Sequence, residues 1–339
     1  MSVGLLRGIA IPVKGLAWIG RQGTRAIAAL VVLGLAVPPL GDALRPFVTE
    51  AIFALLCISF MRVDVAQVRA NLRRPAVVLA ATAWTALAVP VLAGLACFAA
   101  RLDVRAPDLL LALMLQAVAS PMMASPALAA LMGLDATLVL MTLVTSTALI
   151  PFTAPLFAYV FVGSSMTLSP LALGLKLSAI LGGSLLVAAI IRKLVGAEAI
   201  HRQKQPIDGA NILILYVFVA AVMGNVVSSV IAQPLLMIAL AALAFAVFLV
   251  LLVVTTLMFR KIGPDRALAL GLMVSQRNMG LMVAATDGAL PGVTWLYFAL
   301  SQFPIYLAPQ LLAPVARKVV AGRARSVDDE EGAVSSAGR

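Results

Sequence analysis

Histidine is almost missing from this chain. His201 is the only one, and it lies in the polar stretch "GAEAIHRQKQ". That excludes a histidine-based hydrolase or metalloprotease centre inside an apolar segment. Cysteine is scarce as well: Cys57 and Cys97 sit within apolar runs, with no CxxC spacing and no histidine neighbour. Neither a disulfide framework nor a metal site follows from them. Charge is the third shortage. Only 12% of residues are charged and 63% are hydrophobic, with a mean hydropathy of +1.08. A soluble domain carries about 25% charged residues, so the polar residues here could not cover a soluble surface. An integral membrane protein is expected. A span needs about 20 apolar residues, and 339 residues leave room for about ten.

The net charge of +11 raises nucleic acid as a partner, but the placement of the cations points to the lipid bilayer instead. The runs read as spans are 26–41, 46–62, 75–100, 108–132, 136–162, 169–191, 210–231, 234–259, 267–286 and 294–316. They are too long and too uniformly apolar for barrel strands, and helices satisfy their backbone groups internally. Of the 25 Lys and Arg residues, 20 fall between spans on one side and three, Arg45, Arg101 and Arg105, on the other. Lys176 and Arg277 lie within spans. Positive charge collects on the cytoplasmic side, so both termini are expected there, in an inner (plasma) membrane. Residues 1–25 are basic and mildly amphipathic. Two readings stand, a cleaved signal peptide and an interfacial lead-in, and the lack of a small-x-small site favours the second. The tail 322–339, "GRARSVDDEEGAVSSAGR", reads as disordered, and it is too short for a signalling domain.

Two spans are interrupted at their middles. The fourth holds "ASPMMASPA", with Pro121 and Pro126 five residues apart. Each proline removes a donor and turns the preceding residue away from helix. The ninth holds "SQRNMG", and Arg277 sits near its centre. Broken backbone at membrane depth survives only where it is buried in protein or lines a cavity. The breaks fall in the fourth span of 26–162 and the fourth span of 169–316. Matched interruptions in two halves point to a transporter binding site between inverted repeats. Five spans per half make the second half inverted.

The stretch "FMRVDVAQVRANLRRPAVVLAATAWTALAVPVLAGLA", residues 60–96, resembles the second-to-third span passage of the sodium/bile acid cotransporter family. "SPMMASPALAALMGLDATLVLMTLVTSTALIPFTAPLFAYV" is similar to that family's broken fourth span and its fifth. The ninth span resembles its Glu-x-x-x-Gln-Asn-x-Gly segment. The resemblance implies ten helices in a panel and a core domain, with the fourth and ninth crossing in the core. It also implies carriage of amphipathic organic anions coupled to sodium.

The departures lie where the family holds sodium. Asn278 keeps the motif asparagine, but Arg277 stands for the glutamine and Met273 for the glutamate. Ser125 keeps a serine, Pro126 replaces an asparagine, and Thr85 replaces a glutamine before Pro90. Thr142 matches a family threonine. Methionine offers sodium no oxygen, and arginine brings the wrong sign. No carboxylate lies well inside a span, the nearest being Glu50, Asp135 and Asp287 at predicted ends. Proton coupling through an intramembrane acid is therefore unsupported as well.

The substrate-binding set expected is Arg277 as fixed cation, with Gln276, Asn278, Ser120, Ser125, Thr142 and Gln116 as polar neighbours. Met114, Met122, Met123, Met273, Met279 and Met282 crowd the same segments, as suits either packing or a cavity for bulky apolar groups. The expected activity is alternating-access transport of an organic anion without sodium, and not an enzyme. No metal and no cofactor are called for. A sodium-coupled symporter and a non-transporting binding or sensor protein are the competing readings. Within the site, Arg277 has two readings: contact with an anion, or a brace against carbonyls at the end of a half-helix.

Overall fold

The computed structural model describes residues 14–22, 38–62, 75–163, 169–224, 226–286 and 290–337. The fold is about 90% helical and, among the described residues, contains no strand. Among the described residues six helices are long and apolar enough to cross a membrane: Pro39–Arg62, Pro75–Ala99, Ala136–Val162, Pro170–Val195, Lys204–Ala232 and Pro234–Met258. A shorter apolar helix spans Pro107–Val118. This is an all-α polytopic arrangement suited to a multi-pass membrane protein.

Proline sets many of the starts. The helices Pro75–Ala83, Pro107–Val118, Pro170–Val195, Pro234–Met258 and Pro264–Ser275 each open on one. The first turn has no intrahelical use for that N–H, and the ring already holds helical φ. Ala136–Phe157 starts differently: Asp135 Oδ1 accepts from Leu138 N–H at 2.9 Å and caps it. Asp135 Oδ2 also takes the Arg266 guanidinium at 3.1 Å, so one carboxylate caps a helix and ties it to the next segment.

Two boundaries differ from the sequence reading. The stretch 42–45, left between the first two expected spans, is helical. Pro38–Leu44 runs through a 3₁₀ turn at Arg45–Phe47 into Val48–Arg62. Pro46 sits at the start of the 3₁₀ turn, where proline costs no hydrogen bond. Most of the expected span 26–41 falls outside the described residues, as do residues 1–13 and 23–25 of the lead-in. At the other end, the helix from Gly292 continues to Ala337, through most of the tail expected to be disordered. Extending an existing helix needs no new nucleus, and "VVAGRARSVDDEEGAV" has no proline to stop it.

The chain divides into two compact units. The first comprises Met1–Val63, Leu171–Ile238 and Gly280–Ala299; the second comprises Asp64–Pro170, Ala239–Met279 and Leu300–Arg339. The first unit packs through small residues. A Cβ on Gly41 would meet Gly224 Cα and Ala220 O, and one on Gly209 would meet the Leu16 carbonyl of helix 14–22. Such close backbone approach is how helices associate where lipid offers no hydrophobic gain. Arg62 pairs with Asp208 at 2.6 Å, and Arg45 lies 4.6 Å over the Trp295 ring.

The second unit has an extended apolar core. Val139 and Leu143 of Ala136–Phe157 cluster with Phe248, Leu268, Leu272 and Leu312. Two pairs of its polar side chains meet across helices. Trp84 Nε1 donates to Thr255 Oγ1 at 3.0 Å, and the Thr82 and Thr145 hydroxyls meet at 2.6 Å. The interruptions themselves, 119–124 and 276–278, lie in this unit.

Candidate functional site

Pro107–Val118 ends, and Ser125–Leu131 resumes after the irregular stretch 119–124. Pro264–Ser275 ends likewise, and Met279–Ala285 resumes after 276–278. The first break follows from Pro121 and Pro126. The second contains no proline.

The two breaks pair with each other. Met122 N–H donates to Gln276 O at 2.8 Å, and Asn278 N–H donates to Ser120 O at 2.7 Å. Between these bonds Pro121 and Arg277 stand opposite one another as an isolated antiparallel bridge. Pro121 thus occupies a position that asks for no donor. Each break satisfies main-chain groups that the other leaves open, which keeps irregular backbone affordable away from water.

Side chains alternate across such a ribbon. Arg277 projects to one face, and Ser120 and Asn278 share the other. Arg277 is 1% exposed. Its Nη1 donates to Ala119 O at 2.9 Å and to Thr85 O at 3.3 Å, and Nη2 donates to Thr85 O at 3.3 Å. Among the described residues its Nε–H has no hydrogen-bond partner and no carboxylate pairs with it. The guanidinium is held as a cation by carbonyl oxygens alone.

Gln276 is also fully buried and works in two directions. Its Oε1 accepts from Ser125 Oγ at 3.2 Å, and its Nε2 donates to Ile305 O at 3.4 Å. Ser120 and Thr142 are fully buried with hydroxyls that find no partner. Gln116 is buried on Pro107–Val118. Asn278 is half-buried, and so is the most accessible of the seven expected residues. Met114, Met273, Met279 and Met282 are buried, and Ser301 Oγ approaches Met279 Sδ at 3.7 Å. The structure therefore joins Arg277, Gln276, Ser125, Ser120 and Asn278 directly through the paired breaks, Ser120 and Asn278 through their main chains. Thr142 and Gln116 are placed in the same unit.

No protein-family model matches the chain, and no curated protein matches it. The chemistry of the paired breaks has to be read from their own residues.

Three acceptors were missed by sequence reasoning: the carbonyls of Thr85, Ala119 and Ile305. Main-chain oxygens carry no side-chain signature. For two of them a signal does exist, a proline one turn further along the same helix. Among the described residues no group of three or more His, Cys, Asp or Glu side chains gathers in one place.

The remaining hydrogen-bonding capacity is specific. Arg277 Nε–H can still donate, the Ser120 and Thr142 hydroxyls can donate or accept, and Asn278 offers an amide. On its own face of the ribbon the guanidinium suits an oxygen-rich, negatively charged group better than a cation.

Proposed function

We propose that this chain is a secondary transporter of an amphipathic organic anion, working by alternating access and without sodium, with the paired breaks as its binding region. The observation carrying this reading is Arg277: a cation 1% exposed, without a carboxylate and with Nε–H unspent, at the meeting of two broken helices. A guanidinium at a helix centre costs about 2.5–3.5 kcal/mol on insertion scales. An anionic substrate bringing the missing charge would offset part of that cost.

The reading extends to architecture. It takes ten spans in two inverted five-helix repeats, 26–162 and 169–316, forming a panel and a core, with both termini cytoplasmic. In support, each half of the chain contributes to both compact units: 1–63 and 171–238 to one, 64–170 and 239–279 to the other. Resemblance to the sodium/bile acid cotransporter family supplies the substrate class. A sodium-coupled carrier is the second reading, favoured by the two unpartnered buried hydroxyls of Ser120 and Thr142.

Uptake of labelled carboxylates into proteoliposomes, with external sodium replaced by choline, separates the two. Unchanged initial rates are expected, and a steep, saturable sodium dependence would reverse the assignment. Binding of a matched acid and amide to wild type and Arg277→Gln tests the cation. A charge-assisted bond contributes roughly 1.5–3 kcal/mol, so the acid should lose about 10- to 150-fold in affinity and the amide little. Equal losses for both, with a lowered melting temperature, would leave Arg277 a brace only.

A further inference from the structure

We infer that Pro90 and Pro309, two prolines outside the breaks, create the acceptors that anchor the breaks, and so position Arg277 and Gln276. The argument begins in the helix that opens at Pro75. Residues Trp84–Ala88 form a π turn, and Val89 N–H bonds back to Trp84 O. In this pattern the N–H due to Thr85 O would come from residue 90. Residue 90 is proline and has none. The Thr85 carbonyl is thereby orphaned within its own helix, while residue 85 is 1% exposed, away from solvent. Arg277 supplies that carbonyl with two donors, from Nη1 and Nη2.

The same logic recurs in the helix from Gly292. An α-helical carbonyl at 305 accepts from residue 309, and residue 309 is proline inside this helix. Ile305 O is left without its i+4 donor, and Gln276 Nε2 takes it. Two consecutive residues of one break therefore each engage a carbonyl that a proline released elsewhere. Orphaned carbonyls buried in protein have few other partners, so the prolines aim the acceptors and the side chains answer them. This relation concerns anchorage and holds whatever the protein carries.

The consequence runs against the ordinary effect of proline. Removing one from a helix interior restores a hydrogen bond and normally stabilises the helix. Here Pro90→Ala would hand Thr85 O an intrahelical donor and strip Arg277 of two of its three bonds.

The experiment is a double-mutant cycle on the full chain in detergent: Pro90→Ala, Arg277→Gln and the pair, with Pro309→Ala, Gln276→Ala and their pair as an independent arm. Pro90→Ala is expected to lower the melting temperature by about 4 °C in wild type. With Arg277→Gln beside it, the same change should leave the melting temperature level or raise it. Local hydrogen exchange supplies a readout that general loosening would not mimic. In Pro90→Ala the Met122 and Asn278 amides, which bridge the breaks, should exchange about tenfold faster while amides of Pro234–Met258 keep their rates. If Pro90→Ala fails to fold, recovery of folding in the double variant supports the coupling, and failure there overturns it. A rise in melting temperature on Pro90→Ala alone would also overturn it, as would an equal fall with and without Arg277. The Pro309 arm must show the same non-additivity with Gln276; additivity there overturns the second half of the inference.

Discussion

The two breaks look alike in outline and differ in what maintains them. The stretch 119–124 is interrupted by its own covalent chemistry, since Pro121 and Pro126 bar a continuous helix whatever surrounds them. The stretch 276–278 contains only Gln276, Arg277 and Asn278, none of which forbids helix. It stays open because its polar groups have better partners outside: Ser120 O, Met122 N–H, Ala119 O, Thr85 O and Ile305 O. One break is local and the other is tertiary. The tertiary one is therefore the more sensitive to change at its neighbours, and the more able to close into helix when they withdraw.

Substitutions sharpen this contrast, beginning with the most damaging. Gln276→Ala would leave Ile305 O and Ser125 Oγ buried without their partner. Each such loss costs about 1–3 kcal/mol, so a destabilisation of roughly 3 kcal/mol is expected, measured by denaturation in detergent. A cost below that of a surface substitution would show that the second break does not depend on its partners. Ser125→Ala removes a single neutral bond at 3.2 Å and should cost about 1 kcal/mol.

Pro121→Ala is the complementary test on the local break. The proline occupies the bridge position without donors, so the Met122 and Asn278 amides should keep their slow exchange, and stability should move by less than about 1 kcal/mol. Annealing of 119–124 into helix, seen as lost protection at Asn278, would show that Pro121 is needed and that Pro126 with the pairing cannot hold the break open. The smallest effect belongs to Thr142→Val. It deletes a hydroxyl that is buried and unpartnered, so stability should stay level or rise by about 0.5 kcal/mol.

Much of the first break was legible in sequence, because proline acts on its own neighbours and needs no knowledge of the fold. The second was legible only as an anomaly, three polar residues within an apolar run. The fate of Arg277 was not legible between its two readings. A formal charge advertises itself, whereas the Thr85 and Ala119 oxygens that receive it belong to residues whose side chains say nothing about the role. The sequence reading weighted Arg277 toward a substrate; the geometry commits three of its five N–H donors to carbonyls and leaves Nε–H and one Nη2–H for anything else. The helical run across 42–45 was hidden for a related reason. Arg45 was read only as a charge between spans, and the 3₁₀ turn at Arg45–Phe47 carries it without breaking the helix's course.

The spacing of Arg277 from its acceptors also bears on how the protein is made. Thr85 precedes it by 192 residues and Ala119 by 158. The ribosome therefore delivers both acceptor segments to the membrane before the cation emerges. When Pro264–Ala285 enters, the oxygens that will hold the guanidinium are already at hand, and the charge need not rest for long against lipid. A circular permutant that synthesised 264–286 ahead of 75–131 would reverse that order, and its first arginine-bearing segment would reach the bilayer with nothing there to receive it.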